Sequence, residues 1–114
     1  MSEQAIQQQI RLELGQGPVR LWRNNTGALR DERGRLVRYG LCPGSSDLIG
    51  LRQLRIEEQH LGLELGVFCA LEIKTGSGRL TPEQRQFLEV VGSRGGLAGV
   101  ARSVEEARQI LRLP

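Results

Sequence analysis

Glu72 and Lys74 interrupt an otherwise apolar run, "GVFCALEIKTGSG", from Gly66 to Gly78. Val67, Phe68, Cys69, Ala70, Leu71 and Ile73 suit a strand covered on both faces. Side chains alternate across a strand, so Glu72 and Lys74 share one face. A second carboxylate, Asp47, opens another short apolar segment, "DLIGL". Adjacent strands lie about 4.8 Å apart, so the two carboxylates converge if these strands pair. Two buried carboxylates repel, and each is costly to desolvate unless a positive charge lies between them. A divalent cation answers both problems, and hard oxygen ligands with waters left on the ion suit Mg²⁺. Water on such an ion is a better nucleophile, and the ion neutralises charge building on a phosphate.

Lys74 then stands beside the metal water, as a proton acceptor or as a charge that orients water and phosphate. It is the only lysine among 16 Lys and Arg residues. Guanidinium stays protonated and forks rigidly, whereas a partly buried ammonium can lower its pKa, so arginine is a poor substitute there. A plain Glu–Lys pair at a frayed strand end would leave Asp47 unexplained.

Arg20, Arg23, Arg30, Arg33, Arg35 and Arg38 share one segment with Trp22 and Tyr39, against only Asp31 and Glu32. Such a segment could track phosphates and offer a ring to a base. Taken alone, it reads better as a solvated arginine-rich hairpin. The net charge of +3 leans mildly toward polyanions.

At 114 residues the chain has the length of a single domain, 1–114, with one core. No apolar run approaches the roughly 20 residues of a membrane span, and "MSEQAIQQQI" lacks a secretory profile, so a cytoplasmic protein with no membrane partner is expected. Cys42 and Cys69 lack metal-type spacing and read as reduced thiols, Cys69 as a small core residue. There is no Cys/His cluster for zinc. The lone histidine, His60, sits in a polar stretch and reads as solvated.

The elements that must position these residues follow from caps and periodicity. Ser2 caps a helix to about Leu14, ended by "GQGP", with Ile6, Ile10 and Leu14 as its inward stripe. "PVRLWRNN" alternates as a strand, and "LRDERGRLVRYG" reads as two extended arms around a turn near Gly34. "RQLRIEEQHLGLELG" stays open between a helical turn and an irregular connection. Thr81, Pro82 and Gln84 form a T-x-x-Q capping box with proline at the first helical position, and Phe87, Leu88 and Val91 give that helix its buried stripe. "LAGVA" is a short strand. Ser103 and Glu106 make a second box, opening a helix with Val104, Ala107 and Leu111 inward. The order is α-β-β-β-β-α-β-α, an α/β mixed sheet flanked by helices.

Asp47 opening one strand and Glu-x-Lys ending the next resemble the PD-(D/E)XK nuclease superfamily. The stretches "LWRNNTGALRDERGRLVRYGLCPGSSDLIGL" and "ALEIKTGSGRLTPEQRQFLEVVGSRGGLAGVARSVEEA" are similar to a stand-alone VRR-NUC (virus-type replication-repair nuclease) domain, from Glu3 to about Leu111. Ser46 departs from the superfamily's proline. The resemblance implies a restriction-endonuclease-like αβββαβ core and a Mg²⁺- or Mn²⁺-dependent endonuclease. Stand-alone members act as homodimers on branched DNA such as four-way (Holliday) junctions, in repair and recombination, in bacterial or phage-encoded settings. It implies that Asp47, Glu72 and the backbone carbonyl of Ile73 hold metal, and that Lys74 assists the attacking water. Glu3 matches the family's additional N-terminal acid, or is a carboxylate favoured by the helix dipole, with Glu13 as the fallback. Gln84 matches a family glutamine near the metal or substrate. Asn24, Asn25 and Thr26 match "RNNTG" beside the scissile strand, or form a plain turn. With Ser46, Arg20, Arg23, Arg30 and Arg38, they make up the expected DNA contacts. The alternatives are a non-catalytic nucleic-acid-binding module, a subunit-interaction domain, or a nuclease acting on flaps or RNA.

Overall fold

A computed structural model describes residues 2–114. They fall into two compact units, the first ending at Arg52 and the second beginning at Gln53. Each is built from different ladders.

The first unit opens with α1, Glu3–Leu14. Ser2 adopts extended backbone and its hydroxyl accepts the Ala5 N–H, satisfying one of the helix's orphan donors. The Gly15 N–H closes onto the Arg11 carbonyl, and Gly17, with φ of +63°, turns the chain away. β1, Val19–Arg23, follows and pairs antiparallel with β4, Leu48–Arg52, in the register Arg23 opposite Leu48. Between them β2, Gly27–Arg30, and β3, Leu36–Tyr39, form a separate antiparallel hairpin. Gly34 has φ of +76° at its tip, a conformation that disfavours any side chain. Asp31 ties this turn by accepting the Arg33 and Arg35 N–H groups and the Arg35 guanidinium at 2.9 Å.

In the second unit, the open segment resolves into a single 3-10 turn, Glu58–His60, within irregular chain. His60 caps that turn, its Nδ1 accepting the Glu57 N–H at 2.9 Å. β5, Cys69–Ile73, runs parallel to β6, Leu97–Ala101, with Ile73 opposite Ala101. α2, Pro82–Ser93, is the crossover between them, and α3, Val104–Ile110, follows β6. Among the described residues the buried side chains are Val91 of α2 and Ala101 of β6. Glycines let the helices close on the ladder. A Cβ on Gly96 would strike Val91, and one on Gly99 would strike Ile110.

The chain is α/β, and with the β2–β3 hairpin set aside the order α1-β1-β4-β5-α2-β6 is the αβββαβ core. Both hairpin arms are true strands, so five strands precede α2, one more than expected. Antiparallel and parallel ladders both occur, as the two-stranded pairs β1–β4 and β2–β3 in the first unit and β5–β6 in the second. Burial differs from expectation in several places. Cys69 is exposed and Ile73 is 63% exposed, so β5 is not covered on both faces. No residue of α1 is buried, since within its unit the helix meets chiefly β1. Phe87 is partly exposed, whereas Leu88 is half-buried and Val91 fully buried. In α3 Val104 lies outward, and Ile110 takes the inward place over Gly99. Cys42 and Cys69 are both free thiols. No helix among the described residues is long and apolar enough to cross a membrane.

Candidate active site

The α2 capping box does two tasks. Thr81 Oγ1 accepts the Gln84 N–H at 3.1 Å, and Gln84 Oε1 accepts the Thr81 N–H at 2.9 Å. This reciprocal cap fixes the Gln84 side chain at the helix start. Its remaining Nε2 donates to Glu72 Oε1 at 2.9 Å. Lys74 Nζ stands 3.8 Å from the same oxygen, an ion pair longer than a hydrogen bond. Strand alternation therefore places Glu72 and Lys74 together, as their spacing requires, and α2 delivers the glutamine.

The loop after β5 is held by a residue the sequence did not single out. Arg102, just beyond β6, donates through Nε to the Gly76 carbonyl at 3.1 Å and through Nη2 to the Gly78 carbonyl at 2.6 Å. Its own N–H is held by Glu106 Oε1 at 2.6 Å. The signal lay in the register: in a parallel pair with Ile73 opposite Ala101, the next residues on each chain, Lys74 and Arg102, leave the ladder side by side.

In the first unit, Asp47 immediately precedes β4 and is exposed. The Asn24 N–H donates to the Asp47 carbonyl at 2.8 Å, extending the β1–β4 ladder by one bond. The Asn24 carboxamide donates to Ser45 Oγ at 2.7 Å and the Ser46 carbonyl at 3.0 Å, and accepts the Leu41 N–H at 3.0 Å. Ser45 Oγ in turn donates to the Cys42 carbonyl at 2.7 Å. Ser46 thus contributes a carbonyl that proline would also supply. Asn25 and Thr26 are exposed, with a Cβ on Gly40 colliding with both, so the chain crosses closely here. Glu3 is exposed in the first turn of α1, and Glu13 accepts from Gln9 at 3.4 Å.

The arginines separate by their partners. Arg20 is half-buried and donates to the Val19 carbonyl, and Arg30 donates to the Gly34 carbonyl. Arg35 is paired with Asp31, whose carboxyl the Arg35 backbone N–H holds below the ordinary aspartate value; the Arg35 side chain and Arg33 N–H add to this, against an opposing desolvation. Among the described residues, no side-chain hydrogen bond or ion pair engages Arg23 or Arg38.

The structure therefore brings Glu72, Lys74 and Gln84 together in one unit and Asp47, Asn24 and Ser46 in the other. Among the described residues no three His, Cys, Asp or Glu side chains gather into a metal cage. The donors still fit a hard divalent ion. Both contacts to Glu72 fall on Oε1, leaving Oε2 for a ligand, and Mg²⁺ is commonly held by one or two carboxylates with waters and substrate phosphate completing its shell.

No curated protein and no solved structure matches the chain. A family model for the VRR-NUC domain matches residues 1–105 of the 114. Membership carries a nuclease assignment, with DNA as the substrate class. Since that match covers nearly the whole chain, from the first helix through β6, the chain belongs to the VRR-NUC domain family.

Proposed function

We propose that this protein is a metal-dependent DNA endonuclease that hydrolyses phosphodiester bonds in branched DNA such as four-way junctions. The observation that carries this reading is the Gln84–Glu72–Lys74 cluster, a carboxylate fixed by an amide and faced by the chain's only lysine. The amide holds the carboxylate in one orientation and leaves Oε2 without a protein partner among the described residues, with the ammonium 3.8 Å from Oε1, an arrangement that suits a metal ligand beside a water-orienting cation. Residues 1–114 act as one nuclease domain, in the cytoplasm of a bacterial or phage-infected cell.

Asp47, Glu72 and the Ile73 carbonyl would hold Mg²⁺ or Mn²⁺, with Glu3 as the additional acid. When bound, the ion supplies an acidified water and neutralises charge on the phosphate. Gln84 holds Glu72 in one orientation. Lys74 orients the attacking water and accepts its proton or offsets phosphate charge. Arg20, Arg23, Arg30, Arg38, Asn25 and Thr26 hold phosphates in register without reading bases. Symmetric cleavage of two strands needs two such sites, which a homodimer provides.

The test is cleavage of a labelled four-way junction, a flap, linear duplex and single strand with Mg²⁺, Mn²⁺ or EDTA. Lys74→Ala and Asp47→Ala proteins run alongside. Metal-dependent paired cuts on the junction, lost in both variants while binding persists, are expected. Binding without cutting under any metal would make the domain a non-catalytic module instead. Preferred cutting of the flap, or of an RNA version, would move the substrate assignment and leave the chemistry.

A further inference from the structure

We infer that Asn24 is a positioning residue for Asp47, acting through the 41–47 loop and not by touching DNA. This inference rests on the nuclease reading for its catalytic consequence. Asn24 commits all its donors to that loop. The main-chain N–H goes to the Asp47 carbonyl, both Nδ2 hydrogens go to Ser45 Oγ and the Ser46 carbonyl, and Oδ1 receives the Leu41 N–H. A carboxamide with two donors and one acceptor so engaged has no donor left for a phosphate.

The loop needs such a clamp. Gly40, at φ of +87°, leads into it, and it contains Pro43, which has no N–H, and Gly44 at φ of +82°, so it forms no ladder of its own. The Ser45 N–H and hydroxyl both return to the Cys42 carbonyl, making a tight turn, and Asn24 anchors that turn at Leu41, Ser45, Ser46 and Asp47. Asp47 itself is exposed and lies one residue outside the β1–β4 register. Its direction is therefore set by the residues that fix the chain on either side. Asparagine is needed because the side chain must donate and accept at once. Aspartate would keep the acceptor for Leu41 but turn an oxygen toward the Ser46 carbonyl.

The experiment compares Asn24→Ala, Asn24→Asp, Ser45→Ala and the Asn24→Ala/Ser45→Ala double variant with the wild-type chain. It reads amide hydrogen exchange, junction binding in EDTA, and cleavage with Mn²⁺. For Asn24→Ala we expect faster exchange at Leu41, cleavage lower by about 10–100-fold, and binding within about twofold of wild type, the scale of removing a group that orients a metal ligand. Asn24→Asp should retain protection at Leu41 yet still lose cleavage. The double variant should lose no more cleavage than Asn24→Ala alone, because both substitutions break one network. Weakened binding in EDTA with unchanged Leu41 exchange would overturn the inference and make Asn24 a DNA contact. Fully additive losses would also overturn it. If the wild-type chain cuts nothing with any metal, the nuclease reading fails. The exchange data then decide the clamp alone, faster exchange at Leu41 supporting it and unchanged exchange overturning it.

Discussion

Gln84 donates through Nε2 to Glu72 Oε1 at 2.9 Å while its Oε1 accepts the Thr81 backbone N–H at the same distance. One side chain thus completes a helix cap and fixes a carboxylate on the neighbouring strand. The two tasks can be separated, because Thr81 serves only the cap.

Thr81→Ala should lower stability by about 1 kcal/mol, the usual cost of an N-cap, and leave most cleavage intact. Gln84→Leu should cost a similar amount and, in addition, reduce cleavage by about 10-fold or more through the freed carboxylate. Denaturant melts and single-turnover cleavage measure the two effects. Equal cleavage losses in both variants would mean that Gln84 matters only as a cap.

Lys74 and Glu72 are 3.8 Å apart and both side chains are partly exposed, so the pair itself stabilises the fold by roughly 0–1 kcal/mol. Lys74→Met should therefore melt close to the wild-type chain. A group that moves or orients a proton contributes about 10²–10⁴-fold, so its cleavage should fall on that scale. Lys74→Arg should not restore it, because a guanidinium keeps its proton and needs more room. A large loss of stability, or full activity in the arginine variant, would show that only charge pairing is at stake.

Arg102 reaches two carbonyls of the loop that follows Lys74, at 3.1 and 2.6 Å. Its planar fork matches two acceptors from two separate nitrogens in a fixed geometry, which a lysine's single ammonium does not reproduce. Both Arg102→Ala and Arg102→Lys should loosen Gly76–Gly78 and slow cleavage, the alanine variant more. The readouts are exchange at the Gly78 N–H, which bonds the Thr75 carbonyl at 2.9 Å, and the single-turnover rate. A normal rate alongside faster exchange would confine Arg102 to loop stability.

The helix starts and the hairpin tip were legible because their determinants are local. Ser2, Thr81 and Ser103 each cap the helix that follows, and Gly34 marks the turn that its positive φ requires. The box expected of Ser103 and Glu106 closes only halfway. The Ser103 hydroxyl accepts the Glu106 N–H, but Glu106 reaches one residue further back, to the Arg102 N–H. Burial was less legible, since it depends on what an element meets. Val104 fits the periodicity as well as Ile110 does, and only Gly99 on β6 decides between them. Cys69 looks like core in an apolar run, yet it is exposed at the start of β5. For the site, types and spacing named Glu72, Lys74 and Asp47, while the family resemblance named Gln84. The bonds of Asn24 and Arg102 span 17 to 26 residues, a separation that no local pattern reports.

The arginine segment offers a quantitative check on DNA contact. Each phosphate neutralised adds about 0.9 to the slope of log K against log salt on duplex DNA. Arg38 has no internal side-chain partner among the described residues, whereas Arg35 is paired with Asp31 at 2.9 Å. Arg38→Ala should therefore reduce the slope by close to that amount, and Arg35→Ala by clearly less. Asp31 has its carboxyl held below the ordinary value, so its ionised form is stabilised in the fold. That contribution is complete above the ordinary aspartate range and is lost only as pH falls through the lowered value, which keeps Arg35 paired throughout a neutral salt series. Binding isotherms on an uncut junction in EDTA, from low to moderate salt, measure the slopes. Equal reductions for Arg35 and Arg38 would mean that the hairpin rearranges on DNA. No change for either would make it a solvated loop, and phosphate binding would then fall to Arg23 and the residues around it.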